Sequence, residues 1–267
     1  MTNPSATGAG ARAFDLVIFD WAGTMVDFGC CAPIEAFVQA FARRGVALAE
    51  AAARADMGIA KVDHVRALLA RPEVAADWIA AQGKPSDEAD VDALMADLGP
   101  LMREAAAVAS ELIPGAAKTV RTLRERGLRI ASSTGYTREM MGPVLARAAE
   151  QGYRPDHVVC ASETPQGRPS PLMIYKACAE LGVWPLSRVV KVDDAEAGIA
   201  EGRAAGCFTV GVAASGNAIG LTLEAFEALD PADRERRLAA ARAALMAAGA
   251  DVVIDTVADL PAALQSR

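Results

Sequence analysis

In six short segments of this 267-residue chain the apolar residues run together rather than alternate with polar ones: FDLVIFD, LRIASST, DHVVCAS, RVVKVDD, CFTVGVA and DVVIDTV. A strand that alternates apolar with polar residues keeps one face wet. An unbroken run is buried on both faces, as in a parallel sheet sandwiched between helices. From about residue 114 the segments between the runs have helical periodicity: AAKTVRTLRERG, which stops at Gly127, then TREMMGPVLARAAEQG, PLMIYKACAELG and GIAEGRAAG. Parallel neighbours need long crossovers, and these helices supply them.

The fold class expected is therefore α/β, a Rossmann-like doubly wound parallel sheet. One region breaks the alternation. Between roughly 33 and 110, PIEAFVQAFARRG, LAEAAARADMG, VDHVRALLA, EVAADWIAAQG and DEADVDALMADLGPLMREAAAVA are helical without a convincing strand. The expected organisation is an α/β core from 13–32 and 111–267, interrupted by an inserted α-helical cap domain at 33–110. Residues 1–12 read as a loose polar leader, since they lack the apolar stretch of a signal peptide. A chain that is 52% hydrophobic has ample material for a core of this size.

Composition excludes several classes. A net charge of −7 argues against nucleic acid or an anionic membrane as partner. No uncharged apolar stretch reaches membrane-spanning length. Five cysteines, an odd number with no CxxC pair, disfavour a disulfide framework and a structural zinc site. Two histidines are too few for a His-rich metal cluster. The expectation is a cytoplasmic enzyme.

In open α/β sheets, ligands sit beyond the carboxyl ends of the strands. The residues at those ends are Asp20 and Ala22, Ser133 and Thr134, Ser162, and Asp193 and Asp194. Two strands deliver acids to one rim, which predicts a hard divalent cation such as Mg²⁺. The hydroxyls and backbone of SSTGY add donors suited to phosphoryl oxygens. Each acid alone also reads as a helix cap or turn residue; their convergence favours phosphoryl transfer.

These residues resemble the haloacid dehalogenase superfamily. DWAGT, SSTG, GRPSP and VKVDDAEAGIAEG fall in the order of its four motifs, and the helical insert resembles its cap. More closely, FDWAGTMVDFGCCAP, MGIAKVDHVRALL, SSTGYTREMM, GRPSPLMIYK and GVAASGNAIGLT resemble the phosphonoacetaldehyde hydrolase (phosphonatase) family. That resemblance implies cleavage of a small-molecule phosphonate into acetaldehyde and phosphate, in the degradation of 2-aminoethylphosphonate, by a Mg²⁺-dependent homodimer. It implies Asp20 as nucleophile, with Asp20, Asp194 and the carbonyl of Ala22 as metal ligands. Asp193 either ligates directly or stands behind the ligands, and both remain open. Thr134, Gly135 and Arg168 would bind the phosphonate oxygens, with Ser133 assisting, while Cys30, Met57 and Tyr136 line the cavity.

Two departures carry information. Ala22 stands where phosphatases of the superfamily place an acid that protonates a leaving alkoxide; a phosphonate leaves through carbon and has no use for that acid. Gly198 stands where many members carry another acid. Carbon leaving as a carbanion needs an electron sink, which an iminium between the substrate aldehyde and a lysine provides. The candidate is Lys61, in unusually apolar surroundings, with Met57, Lys61, His64 and Leu68 along one face if the segment is one helix. Burial would lower the lysine pKa and supply free amine, although a lysine there can also snorkel to solvent. His64 would shuttle protons during imine formation, or be a packed helix histidine. An ordinary Mg²⁺-dependent phosphatase or phosphomutase of the same superfamily is the nearest alternative. A non-catalytic module holding a cation and phosphate is the alternative of a different class.

Overall fold

The computed structural model describes residues 13–265; the leader expected at 1–12 lies outside the described residues. The first strand, β1 (Leu16–Phe19), is fully buried. Five helices follow: α1 (Cys31–Ala42), α2 (Glu50–Ala55), α3 (Lys61–Leu69), α4 (Pro72–Gln82) and α5 (Glu88–Val108). The alternating part then runs α6 (Ala116–Glu125), β2 (Arg129–Thr134), α7 (Arg138–Glu150), β3 (His157–Cys160), α8 (Leu172–Leu181), β4 (Val189–Asp193), α9 (Glu196–Ala205) and β5 (Phe208–Val212). It closes with α10 (Leu223–Glu227), α11 (Pro231–Ala247), β6 (Val252–Ile254) and α12 (Leu260–Ala263). No described helix is long and apolar enough to cross a membrane.

All strand pairs are parallel, in the order β3-β2-β1-β4-β5-β6. The chain builds outward from β1 to one edge and then returns to the other side at β4. The crevice where strand order reverses therefore opens between the carboxyl ends of β1 and β4, where ligands bind in such sheets. The unbroken apolar runs are indeed covered on both faces: Val17 and Phe19 pack into one cluster, Leu16 and Ile18 into another.

The insert buries Phe37, Phe41, Val65, Leu68, Trp78, Leu94 and Leu98 almost fully, in an apolar cluster continuous with Val17 and Phe19 of the sheet. One element differs from the sequence expectation. Lys61, His64 and Leu68 share α3, but Met57 does not, because α2 ends at Ala55 and α3 begins at Lys61. A turn intervenes, with Gly58 at φ +98°, a conformation glycine adopts without a Cβ penalty. It carries Met57 and Ile59 toward the core.

Candidate active site

The loop after β1 is fixed from several directions. The backbone N–H of Asp20 donates to the Val192 carbonyl of β4. The Trp21 indole donates to Ser132 Oγ at 2.8 Å and packs on the Tyr153 ring. Ser215 Oγ donates to the Gly23 carbonyl at 2.6 Å. The Asp27 carboxylate accepts the N–H groups of Cys31 and Ala32 and so caps α1. Asp20 therefore sits on a rigid support, with little conformational entropy left to lose when it meets a ligand.

Asp194, just past β4, is held by neutral donors: Thr24 Oγ1 at 3.0 Å, Cys30 Sγ at 3.3 Å and the Asn217 N–H at 2.9 Å. Oxygens of Asp20, Asp193 and Asp194 lie within 4.8 Å of one another. Burial pushes the Asp20 carboxyl above its ordinary range; Arg168 opposes the rise and Asp193 adds to it. Asp194 is raised as well, by burial and then by Asp193 and Asp20. Four buried carboxyl groups (Asp20, Asp193, Asp194 and Glu201) outnumber the two basic side chains among them, Arg168 and Lys191. The surplus of negative charge matches one divalent cation, and oxygen ligands suit Mg²⁺. The residues present fit the ion.

Arg168 is buried beside this cluster. Its Nη2 lies 2.8 Å from Asp20 Oδ1 and donates to the Ser133 carbonyl at 2.8 Å. Its Nε donates to Glu201 at 2.9 Å, and its Nη1 to the Gly58 carbonyl of the insert at 3.3 Å.

Lys61 begins α3 and is only 4% exposed. Its Nζ lies 3.7 Å from Met57 Sδ, 5.4 Å from the Phe37 ring centre and 5.2 Å from that of Tyr136. No carboxylate among the described residues forms an ion pair with it. Burial accordingly lowers its pKa to about 8. Asp20, Ala22, Cys30, Met57, Lys61, Thr134, Gly135, Tyr136, Arg168 and Asp194, all expected from sequence, line one cavity of about 20 Å³. Gly135 is needed for its closure, since a Cβ there would lie 2.6 Å from the Ile59 carbonyl.

His64 is brought near but not in. It is fully buried against Phe37, ring centres 4.3 Å apart, and neither ring nitrogen has a hydrogen-bond partner among the described residues. Burial, then Lys61, lowers its pKa to about 3. It stands behind Lys61 as a neutral ring and does not line the cavity. Ser162 also falls outside, in a turn after β3, where it lines a separate cleft with Arg66 and Gln166; β3 is two strands away from β1. Sequence reasoning missed Lys191, Glu201, Thr24, Asn217 and Arg54. Of these only Lys191 left a trace, as a charge inside an apolar strand.

Residues 14–206 match the haloacid dehalogenase-like hydrolase family. The phosphonoacetaldehyde hydrolase of Paraburkholderia phytofirmans is 49% identical over 244 residues, 91% of each chain. That of Bacillus cereus is 40% identical over 251 residues, 94% of this chain and 95% of the other. The chain belongs to the phosphonoacetaldehyde hydrolase family of the haloacid dehalogenase-like hydrolases. The crystal structure of a phosphonoacetaldehyde hydrolase like protein from Oleispira antarctica superposes with a TM-score of 0.94 at 38% identity, covering 100% of this chain and 96% of that one. A putative beta-phosphoglucomutase from Bacteroides vulgatus has a TM-score of 0.67 at 17% identity over 96% of this chain and 90% of that one. At that identity the likeness is one of fold. The fold class expected from sequence, with a hydrolase built on it, is borne out.

Proposed function

We propose that this protein hydrolyses phosphonoacetaldehyde to acetaldehyde and phosphate, with Lys61 and Asp20 sharing the chemistry. The observation that carries the reading is a buried lysine with no counter-ion facing the same small cavity as a strand-end aspartate. The Lys61 amine condenses with the aldehyde carbonyl and releases water, giving an iminium on Lys61. Asp20 then attacks phosphorus. The P–C bond breaks, its electron pair moves into the iminium to give an enamine, and the phosphoryl group passes to Asp20. Protonation of the enamine carbon and hydrolysis of the imine release acetaldehyde and free Lys61; water at the aspartyl-phosphate releases phosphate and restores Asp20.

Asp20, Asp194 and the Ala22 carbonyl would hold Mg²⁺, which offsets repulsion between the Asp20 carboxylate and the anionic phosphonate. Arg168, Thr134 and Gly135 orient the phosphoryl oxygens, a role that suits the paired donors of a guanidinium. Cys30, Met57 and Tyr136 exclude water around the carbon end. His64 acts through Lys61, as an uncharged neighbour that keeps the amine from protonating. The reading extends to a cap at 33–110 on a core of 13–32 and 111–267, a homodimer, a cytoplasmic location, and a place in 2-aminoethylphosphonate degradation. Ala22 argues against the phosphatase alternative, because no acid stands there to protonate an alkoxide.

Borohydride added with phosphonoacetaldehyde should reduce the imine and leave an adduct on the Lys61 peptide, read by mass spectrometry. Lys61→Arg keeps the charge and cannot form an imine, so P–C cleavage should vanish while the fold persists. Normal turnover without an adduct, or full activity in that variant, would sink the imine mechanism.

A further inference from the structure

We propose that Asp193 is not a metal ligand but a clamp that positions Arg168 and Lys191, and that its place in the fold exists because residue 198 is glycine. The inference rests on the reading of the site given above and assigns the one acid of the rim that the sequence leaves open.

Asp193 and Asp194 are adjacent and both buried, yet their surroundings differ in kind. Asp194 accepts only from neutral groups, so its charge stays uncompensated and available to a cation. Asp193 makes one hydrogen bond, at Oδ1, and its Oδ2 has no hydrogen-bond partner among the described residues but faces two basic side chains. Its Oδ1 accepts the Ala195 N–H at 3.0 Å, and its Oδ2 lies 3.0 Å from Lys191 Nζ and 3.4 Å from Arg168 Nη1. A carboxylate placed against two buried basic side chains would give up both contacts if it turned toward a metal, leaving Lys191 to Glu201 alone and Arg168 to Glu201 and Asp20, at a cost in buried charge pairing.

The same cations are held a second time. Lys191 Nζ donates to Ser133 Oγ at 2.8 Å and lies 3.3 Å from Glu201, which also accepts from Arg168 Nε. Arg168 belongs to a loop, and these anchors fix its guanidinium so that one edge faces Asp20 and the cavity. Fixing a guanidinium in advance removes the rotamer entropy otherwise lost on binding an oxyanion. Helix α9 makes room for the arrangement by presenting two glycines four residues apart. A Cβ at Gly198 would fall inside the Asp193 carboxyl, and one at Gly202 would lie 2.9 Å from Lys191 Cβ. Residues 193 and 198 therefore compete for one space, and only one of them can carry a side chain.

The test compares Asp193→Asn with Asp194→Asn in the full-length protein, and adds a cycle of Gly198→Ala in the Asp193 and Asp193→Gly backgrounds. Titration calorimetry with MgCl₂ should give Mg²⁺ binding near the wild-type value for Asp193→Asn and a severe loss for Asp194→Asn. Asp193→Asn should weaken inorganic phosphate binding and raise KM for phosphonoacetaldehyde by about tenfold, the size of one lost charge-assisted hydrogen bond, with kcat changing less. A merely structural role would not split the constants in this way. Gly198→Ala should lower the thermal unfolding midpoint when Asp193 is present and leave it nearly unchanged when residue 193 is glycine. Equal loss of Mg²⁺ binding in Asp193→Asn and Asp194→Asn would overturn the proposal. So would an equal drop in midpoint in both backgrounds of the cycle. If the wild-type protein does not turn over phosphonoacetaldehyde, the proposed function fails, while calorimetry and unfolding still decide the role of Asp193.

Discussion

Lys61 forms no ion pair among the described residues, and Met57, Phe37 and Tyr136 take the place of water around its amine. Desolvation disfavours the charged form, which is why its pKa falls to about 8. Imine formation needs the free amine, so kcat/KM should climb as pH rises toward about 8 and level off above it. A profile flat from pH 6 to 9 would contradict the assignment. His64 behaves oppositely in role though not in sign. Its folded pKa, about 3, lies below its ordinary 6.5. The unfolded chain therefore binds the extra proton first, and the stability held above pH 6.5 is lost as pH falls toward 3. The slope from this one group is about 1.4 kcal/mol per pH unit. His64→Leu should flatten the dependence of denaturant unfolding free energy on pH between 5 and 6.5. An unchanged slope would mean that His64 is not buried uncharged.

Among the elements, strands were the most legible, because burial on both faces writes an unbroken apolar run into each. The inserted helices were legible as a stretch without such runs. The break between α2 and α3 was not, since ADMGIAKVDH keeps helical spacing across it. The turn is dictated by what it touches: Gly58 and Ile59 press their carbonyls toward Arg168 and Gly135, which lie more than seventy residues away in sequence. The buried pairing of Lys191 was illegible for the same reason, with partners drawn from β2, α9 and the end of its own strand. By contrast Asp20 was legible as the acid at the end of an apolar strand, whereas Lys61 and Arg168 were found through motif resemblance, and spacing alone would have left Lys61 a solvated surface residue. The contact at Gly135 gives a prediction for the element that carries it. Gly135→Val should push the turn outward, re-expose Lys61 and cut kcat/KM by at least about tenfold, with little loss of thermal stability. Activity near the wild-type value would show that this close approach is unnecessary.

At the scale of the molecule, the proposed nucleophile and amine belong to different parts: Asp20 follows a strand of the sheet, and Lys61 begins a helix of the insert. The two parts are tied across their seam by Arg168 to the Gly58 carbonyl and by Arg54, which donates to the carbonyl of Gly29 at 2.8 Å and to Asn217 Oδ1 at 3.3 Å. The cavity between them, about 20 Å³, holds a single water-sized molecule. A cleft of about 690 Å³ adjoins it and shares Met57, Asp194 and Ala195. On the proposed reading the insert moves to admit an organophosphonate to Lys61, and closure then completes the site around it.

The apolar shell of Lys61 is itself divided along that seam. Phe37 and Met57 travel with the lysine, while Tyr136 stays with the sheet. Opening on the proposed reading would remove part of the shell and return the amine toward its protonated form. Butanal, an aldehyde without a phosphoryl group to draw the parts together, should give far less borohydride adduct on Lys61 at pH 7 than phosphonoacetaldehyde does; equal trapping would refute this. Seen in this way, the split shell is a safety catch. A lysine so placed would stay disarmed until a ligand bearing both chemical ends had brought the two halves of the shell together.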